Sequence, residues 1–294
     1  MHLSPEQTDF YRENGYVIVR DVLSPAQIEE GRRVVQAFVE TSRGLTASDD
    51  IFDLEPAHTA EKPAIRRLKT PHKVHPWFDD LIRSDAILDP LESVLGPNIR
   101  MLGSKLNLKA AGVGSPVEWH QDLAFHPHSN DDLCAIGIAL DDCSLQNGCL
   151  LVMPGSHKGP VIDHHQDGVF IGAVDVKAQG IDVEHATAVE MPAGSIEIHH
   201  VRMLHGSAPN RSTNQRRLLL FDMAAADAFP FAVSIGDWDT YNAGIVRGSP
   251  TLTPRIEEQP PVRLPYPTRK SGTIFEVQSQ LRESAFAGAG RGRM

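Results

Sequence analysis

Cysteine is scarce in this chain. Cys134, Cys143 and Cys149 are the only three in 294 residues, too few and too clustered for a disulfide framework. Their spacing fits no zinc ribbon, so they read as small buried hydrophobes. Basic residues are outnumbered as well. Lys and Arg total 28 against 38 Asp and Glu, a formal net charge of −10. Without a basic face the chain is a poor nucleic-acid binder. Without a polybasic segment it lacks an anchor for anionic membranes. No apolar run approaches a membrane span. The opening Met1-His2-Leu3-Ser4-Pro5 has neither the basic nor the apolar region of a secretion signal. A soluble cytoplasmic protein is the expectation. Repeats and low-complexity tracts are missing too, and nothing in the sequence signals an oligomeric state.

What is present suffices for a sizeable core, with 41% hydrophobic residues. Ser4-Pro5-Glu6-Gln7 carries a capping box, predicting a helix to about Asn14 that stops at Gly15. Tyr16–Arg20 is β-rich. Ser24-Pro25-Ala26-Gln27 repeats the cap and opens a helix to about Glu40. Residues 43–75 read as loop and as a candidate lid, and Pro76–Leu95 as helical turns. From Ile99 the pattern changes to short β-type runs: Ile99–Leu108, Leu133–Leu140, Cys149–Met153, Ala188–Met191, Ser195–Ile198 and Arg217–Met223. Short strands separated by turn residues predict a jelly-roll core. One domain spanning 1–294 is expected, helical over residues 1–98, with a β-core of about 99–225 and an irregular stretch over 226–294. The Gly-rich tail from about Ala285 reads as frayed.

The chemistry-bearing residues are His120-Gln121-Asp122, His205 and Arg216. A His-x-Asp pair joined by a distant histidine is the ligand set of non-haem Fe(II) oxygenases, which leaves open positions opposite. An arginine eleven residues past that histidine supplies a fork for a carboxylate cosubstrate, 2-oxoglutarate. Fourteen histidines make accidental matches easy, and a second His-x-Asp stands at His165-Gln166-Asp167. It sits in a loop-like segment close in sequence to His205, so His120 and Asp122 are preferred. His199 and His200 compete with His205 for the distal place. Only His205 is followed at a matching distance by an anion anchor.

Trp119-His120-Gln121-Asp122, the run Asn147-Gly148-Cys149-Leu150-Leu151-Val152-Met153-Pro154-Gly155-Ser156-His157, and His205-Gly206-Ser207 with Arg216 resemble the phytanoyl-CoA dioxygenase family. Phe10–Val19 resembles that family's opening helix and strand. The resemblance spans roughly residues 4 to 225. It implies a mainly β fold with flanking helices around a double-stranded β-helix, and it implies Fe(II), 2-oxoglutarate and O2. It places His120, Asp122 and His205 as iron ligands and Arg216 on the distal carboxylate of 2-oxoglutarate. Ser207 assists Arg216, and Lys109 matches a position often basic in the family. His157 reads as a structural hydrogen-bonder. Because Asp122 is kept, where related halogenases carry a small residue, hydroxylation or another oxidative conversion is expected, with release of succinate and CO2.

A small or medium soluble metabolite without a CoA carrier is the expected substrate. Asp131, Asp132, Asp141 and Asp142 lie close downstream of the iron motif and would repel a polyphosphate, and Arg66-Arg67-Leu68-Lys69 reads as a solvated face rather than a phosphate groove. His126, His128, Asn130, Trp238 and Tyr241 are candidates to line the mouth. The competing readings are an acyl-CoA hydroxylase, a catalytically silent jelly-roll that binds a ligand or partner, and a cupin-like zinc or manganese enzyme.

Overall fold

A computed structural model describes residues 1–269 and 272–287. Two β-sheets face one another. The larger orders its strands Tyr16–Val19, Ile196–His200, Leu133–Ala139, Arg216–Ala225, Ile99–Lys109, Ile65–Lys69 and Phe52–Leu54, with Ile245–Arg247 paired to Ile99–Lys109. The smaller orders Thr187–Val189, Leu150–Val152, His205–Ser207 and Val117–His120. All these pairings are antiparallel.

Alternation along the strands decides which side is dry. In Arg216–Ala225, Leu219, Phe221 and Met223 join the apolar cluster under the helices. Their neighbours Leu218 and Leu220 line the space between the sheets. Successive side chains point to opposite faces, so one strand serves both sides. Helices Pro25–Thr41, Pro76–Ile82 and Asp85–Leu95 bring Val34, Val35, Phe78, Ile82, Ile87 and Leu91 to that outer layer. Fully burying a side chain of this kind contributes about 1.5–3 kcal/mol, so this layer dominates stability.

The first helix spans Pro5–Asn14, with the Ser4 capping box formed and Gly15 in the left-handed region at φ 78°. A side chain at Gly15 would also run into His157, so only glycine serves there.

Three expectations are corrected. Residues 43–75 are not a loop, because Phe52–Leu54 and Ile65–Lys69 extend the larger sheet. Their polar alternate residues hid the strand pattern, and Arg67 and Lys69 among them face the cavity and its outer chamber. The β-core therefore draws on residues 1–98, expected to be helical, as well as on 99–225. Third, Ala285 and Phe286 are packed rather than frayed. Phe286 is buried and stacks on Trp119 with ring centroids 6.1 Å apart. Residues 288–294 of that tail lie outside the described residues. Among the described residues, no helix is long and apolar enough to cross a membrane.

Candidate metal centre and active site

His120 ends one strand of the smaller sheet and His205 begins its neighbour, and the two are direct cross-strand partners. Their ring centroids stand 4.0 Å apart. Asp122 follows in a 3-10 turn, and its carboxylate lies 3.5 Å from His120 Nε2 and 3.9 Å from His205 Nε2. One ligand atom from each of the three lies within 4.8 Å of the others, a spacing one ion can bridge.

Backbone carbonyls fix the tautomers. His120 Nδ1–H donates to the Glu118 carbonyl at 2.8 Å, and His205 Nδ1–H donates to Met203 at 2.9 Å. A carbonyl only accepts, so each Nδ1 carries the proton and each Nε2 keeps its lone pair toward Asp122. Burial, then the neighbouring His120, holds the His205 ring well below the ordinary histidine range. Burial alone would raise the Asp122 carboxyl. The histidines around it, His205 foremost, hold it well below the usual carboxylate range instead. Two imidazoles turned Nε2-inward and a carboxylate are the donor set a divalent metal takes.

Gln121 keeps the two ligands apart. Its side-chain amide donates to the Arg202 carbonyl at 2.8 Å and to Pro160 at 3.2 Å, and its oxygen accepts from the Ile162 N–H at 2.8 Å. The Gln121 N–H donates to His164 Nε2 at 2.8 Å. Burial pushes His164 down to about 3, so it stays the acceptor this bond needs.

His199 also reaches the centre, with Nε2 3.5 Å from Asp122. Its other nitrogen meets the buried Glu197 carboxylate at 2.9 Å. Burial lowers the ring, but Glu197 and Asp122 outweigh it and push the pKa up to about 10. His199 thus stands as a counter-charge 3.5 Å from Asp122, with no hydrogen bond from its Nε2. Gly137 lies directly across from Glu197, and any side chain there would strike its carboxylate. His200 turns away and accepts from the Arg202 N–H.

Arg216 begins a strand of the larger sheet and is buried. One guanidinium nitrogen donates to the Gly148 carbonyl at 3.2 Å, while Nε and Nη1 have no partner. An unpaired buried cation is costly, so a structure that keeps one implies an anionic guest. Ser207 lines the same cavity, together with Arg67, Lys105, Asn107 and the three candidate ligands. Lys109 sits beside Arg216 in register. Its ammonium donates to Ser207 Oγ at 2.8 Å and to the Ala208 carbonyl. Lys109 thus orients Ser207 and does not line the cavity.

Several other sequence-predicted residues lie elsewhere. His165 and Asp167 form a short surface hairpin, where His165 pairs with Asp163 at 2.7 Å and Asp167 pairs with Arg282. His157 bonds to the Arg12 carbonyl at 3.1 Å. His126 reaches the outer chamber above the cavity. His128 and Tyr241 line a separate groove, and Trp238 packs on Tyr241. Asn130 is spent on Asp227 and the Arg255 carbonyl.

Two charge expectations are corrected. Asp131 pairs with Arg202, Asp132 with Arg255 and Asp141 with Arg217, so they do not form a repelling field at the mouth. The Arg66–Lys69 run is not a solvated face. Arg67 lines the cavity and Lys69 the outer chamber, while Arg66 pairs with the buried Glu55. Sequence reasoning missed Glu197, Gly137, His164 and Arg67. Only Arg67 left a signal, in the alternation Ile65-Arg66-Arg67-Leu68-Lys69.

The chain is similar to known proteins. The family model "Phytanoyl-CoA dioxygenase (PhyH)" matches residues 11–218. A "Probable alpha-ketoglutarate-dependent hypophosphite dioxygenase" of Stutzerimonas stutzeri is 37% identical over 96% of this chain and 99% of its own. The peroxisomal phytanoyl-CoA dioxygenase of Bos taurus is 28% identical, covering 76% of this chain and 69% of its own. The crystal structure of EctD from S. alaskensis superposes with a TM-score of 0.66 at 20% identity, covering 88% of each chain.

Proposed function

The chain belongs to the phytanoyl-CoA dioxygenase family, and from that membership we propose roles for the residues of its site. It is an Fe(II)- and 2-oxoglutarate-dependent dioxygenase. Bound iron supplies oxygen activation coupled to conversion of 2-oxoglutarate into succinate and CO2. His120, Asp122 and His205 hold the metal through two Nε2 lone pairs and a carboxylate oxygen. The Glu118 and Met203 carbonyls keep both rings in the ligating tautomer. Arg216, whose Nε and Nη1 have no partner, would hold the distal carboxylate of 2-oxoglutarate, and Ser207, held by Lys109, would add a hydroxyl donor.

The observation that carries this reading is the buried guanidinium with open donors in the same cavity as the three ligand atoms. A zinc or manganese cupin or a silent binding protein leaves that guanidinium unexplained. The test is succinate release with Fe(II), 2-oxoglutarate and O2. Succinate should form slowly without substrate and stop when a chelator removes the iron. No succinate and no binding of 2-oxoglutarate would overturn the reading.

A small soluble metabolite without a CoA carrier is the substrate this reading favours, on the 37% identity to the hypophosphite dioxygenase rather than on surface charge. The similarity to the hypophosphite dioxygenase places hypophosphite first on the panel to be tried, with insertion of one oxygen into a P–H bond as the expected conversion.

A further inference from the structure

The cavity wall on the larger sheet carries one positive charge that iron and 2-oxoglutarate do not account for. Three adjacent strands supply the polar groups. Their register puts Arg216 beside Lys109, Asn107 between Leu218 and Arg67, and Lys105 beside Lys69. Residues two apart on a strand share a face, so Arg216, Arg67 and Lys105 look into one cavity. Of the cations that line the cavity and its outer chamber, each can be matched to a counter-charge except Arg67; Lys109, also without a carboxylate, lies outside the cavity and is spent on Ser207 Oγ and the Ala208 carbonyl. Lys105 pairs with Asp222 at 3.1 Å, and Lys69 with Asp53 at 3.0 Å. Asp122 and the two carboxylates of 2-oxoglutarate balance iron(II) and Arg216.

Arg67 has one hydrogen bond, from Nε to Asn107 Oδ1 at 3.1 Å, and its guanidinium carbon lies 5.2 Å from the Phe275 ring centroid. Among the described residues no carboxylate forms an ion pair with it. It is 9% exposed, so bulk water does not solvate it. It lines both the inner cavity and the outer chamber, as do Lys105, Asp122 and Ile274. An anion that reaches Arg67 therefore lies beside the metal ligand Asp122 as well.

We infer that Arg67 is a specificity-determining residue that takes the charge of a small, singly charged oxyanion substrate. This rests on the dioxygenase reading above and names its substrate class. The guanidinium offers its remaining N–H groups as a flat fork, which suits two oxygens on one phosphorus or carbon. A dianion would leave one charge uncompensated in a site from which water is largely excluded, and a neutral molecule would leave Arg67 unpaired. Ile274, at the start of helix Ile274–Gln278, lines the site and favours a compact guest.

The test is calorimetric titration of the protein loaded with Mn(II) and 2-oxoglutarate, using hypophosphite and acetate as singly charged probes and phosphite at mildly alkaline pH as the dianion. At least one monoanion should bind, and phosphite should bind more weakly. Whichever of hypophosphite and acetate binds better tells phosphorus from carbon substrates. Arg67→Met should weaken the monoanion at least tenfold. Arg67→Lys should weaken it several-fold and raise its KM more than the KM for 2-oxoglutarate, with thermal melting unchanged. Arg33→Ala, which removes an exposed helix cation, should change nothing. If neither monoanion binds to a protein that binds 2-oxoglutarate, or Arg67→Lys binds the monoanion like the wild type while Arg67→Met does too, the inference fails and the dioxygenase reading stands. A wild-type protein that binds no 2-oxoglutarate sinks that reading instead.

Discussion

Arg216 and Arg217 are neighbours on one strand and face opposite ways. Arg216 points into the cavity with open donors, whereas Arg217 is engaged by Asp141 at 2.6 Å. That difference sets the first prediction. Arg216→Lys should raise the KM for 2-oxoglutarate by the worth of a charged hydrogen bond, about 1.5–3 kcal/mol. Arg217→Lys should leave it unaltered. Steady-state kinetics on both variants decides, and equal effects would argue against the cavity assignment. Gly137 gives the second prediction. Its missing side chain makes room for Glu197, which in turn fixes His199 against Asp122. Gly137→Ala should displace Glu197 and weaken Fe(II) binding on the order of tenfold, the low end for outer-shell partners of a ligand. Fe(II) titration reads it, and unchanged affinity would show that Asp122 needs no such support.

Among the elements, the C-terminal segment matters more than its composition suggests. Gln278 donates to the Gly172 carbonyl and accepts from the Glu118 N–H, which ties helix Ile274–Gln278 to the strand carrying His120. Phe286 then stacks on Trp119 in that same strand. Phe286→Ala should cost about 3 kcal/mol, the lower end for a buried aromatic, measured by denaturant unfolding. A loss below about 0.5 kcal/mol would mean that the stack does not stabilise the site, that being the size of an ordinary surface change.

The legible elements were those whose pattern is local. Ser4 and Ser24 caps marked two helices, and apolar runs marked the central strands. Ile65–Lys69 was hidden because its polar alternates face a cavity rather than solvent, so a strand looked like a charged loop. The metal triad and Arg216 were legible through ordered motifs. Glu197 and His164 were not, because a residue that positions a ligand across a sheet leaves no spacing of its own.

At the scale of the whole molecule, buried neutral histidines couple folding to acidity. Burial pushes both His164 and His200 down to about 3. Their unfolded values lie near 6.5, so below that pH the unfolded chain takes up protons that the folded chain refuses. Stability is full above about pH 6.5 and declines as pH falls toward 3. Melting temperature should drop through that window, and His200→Asn, which cannot titrate, should flatten the drop. An unchanged slope in that variant would assign the acid sensitivity elsewhere.

The whole arrangement converges on one metal held by His120, Asp122 and His205 with 2-oxoglutarate beside it. Anaerobic titration with Fe(II) and 2-oxoglutarate, followed by the visible charge-transfer absorption of the complex, tests this most directly. One band saturating at one iron per chain is predicted. It should be lost in His205→Ala and Asp122→Ala and kept in the His165→Ala/Asp167→Ala double variant. A band that survives in His205→Ala but vanishes in His199→Ala would contradict the account.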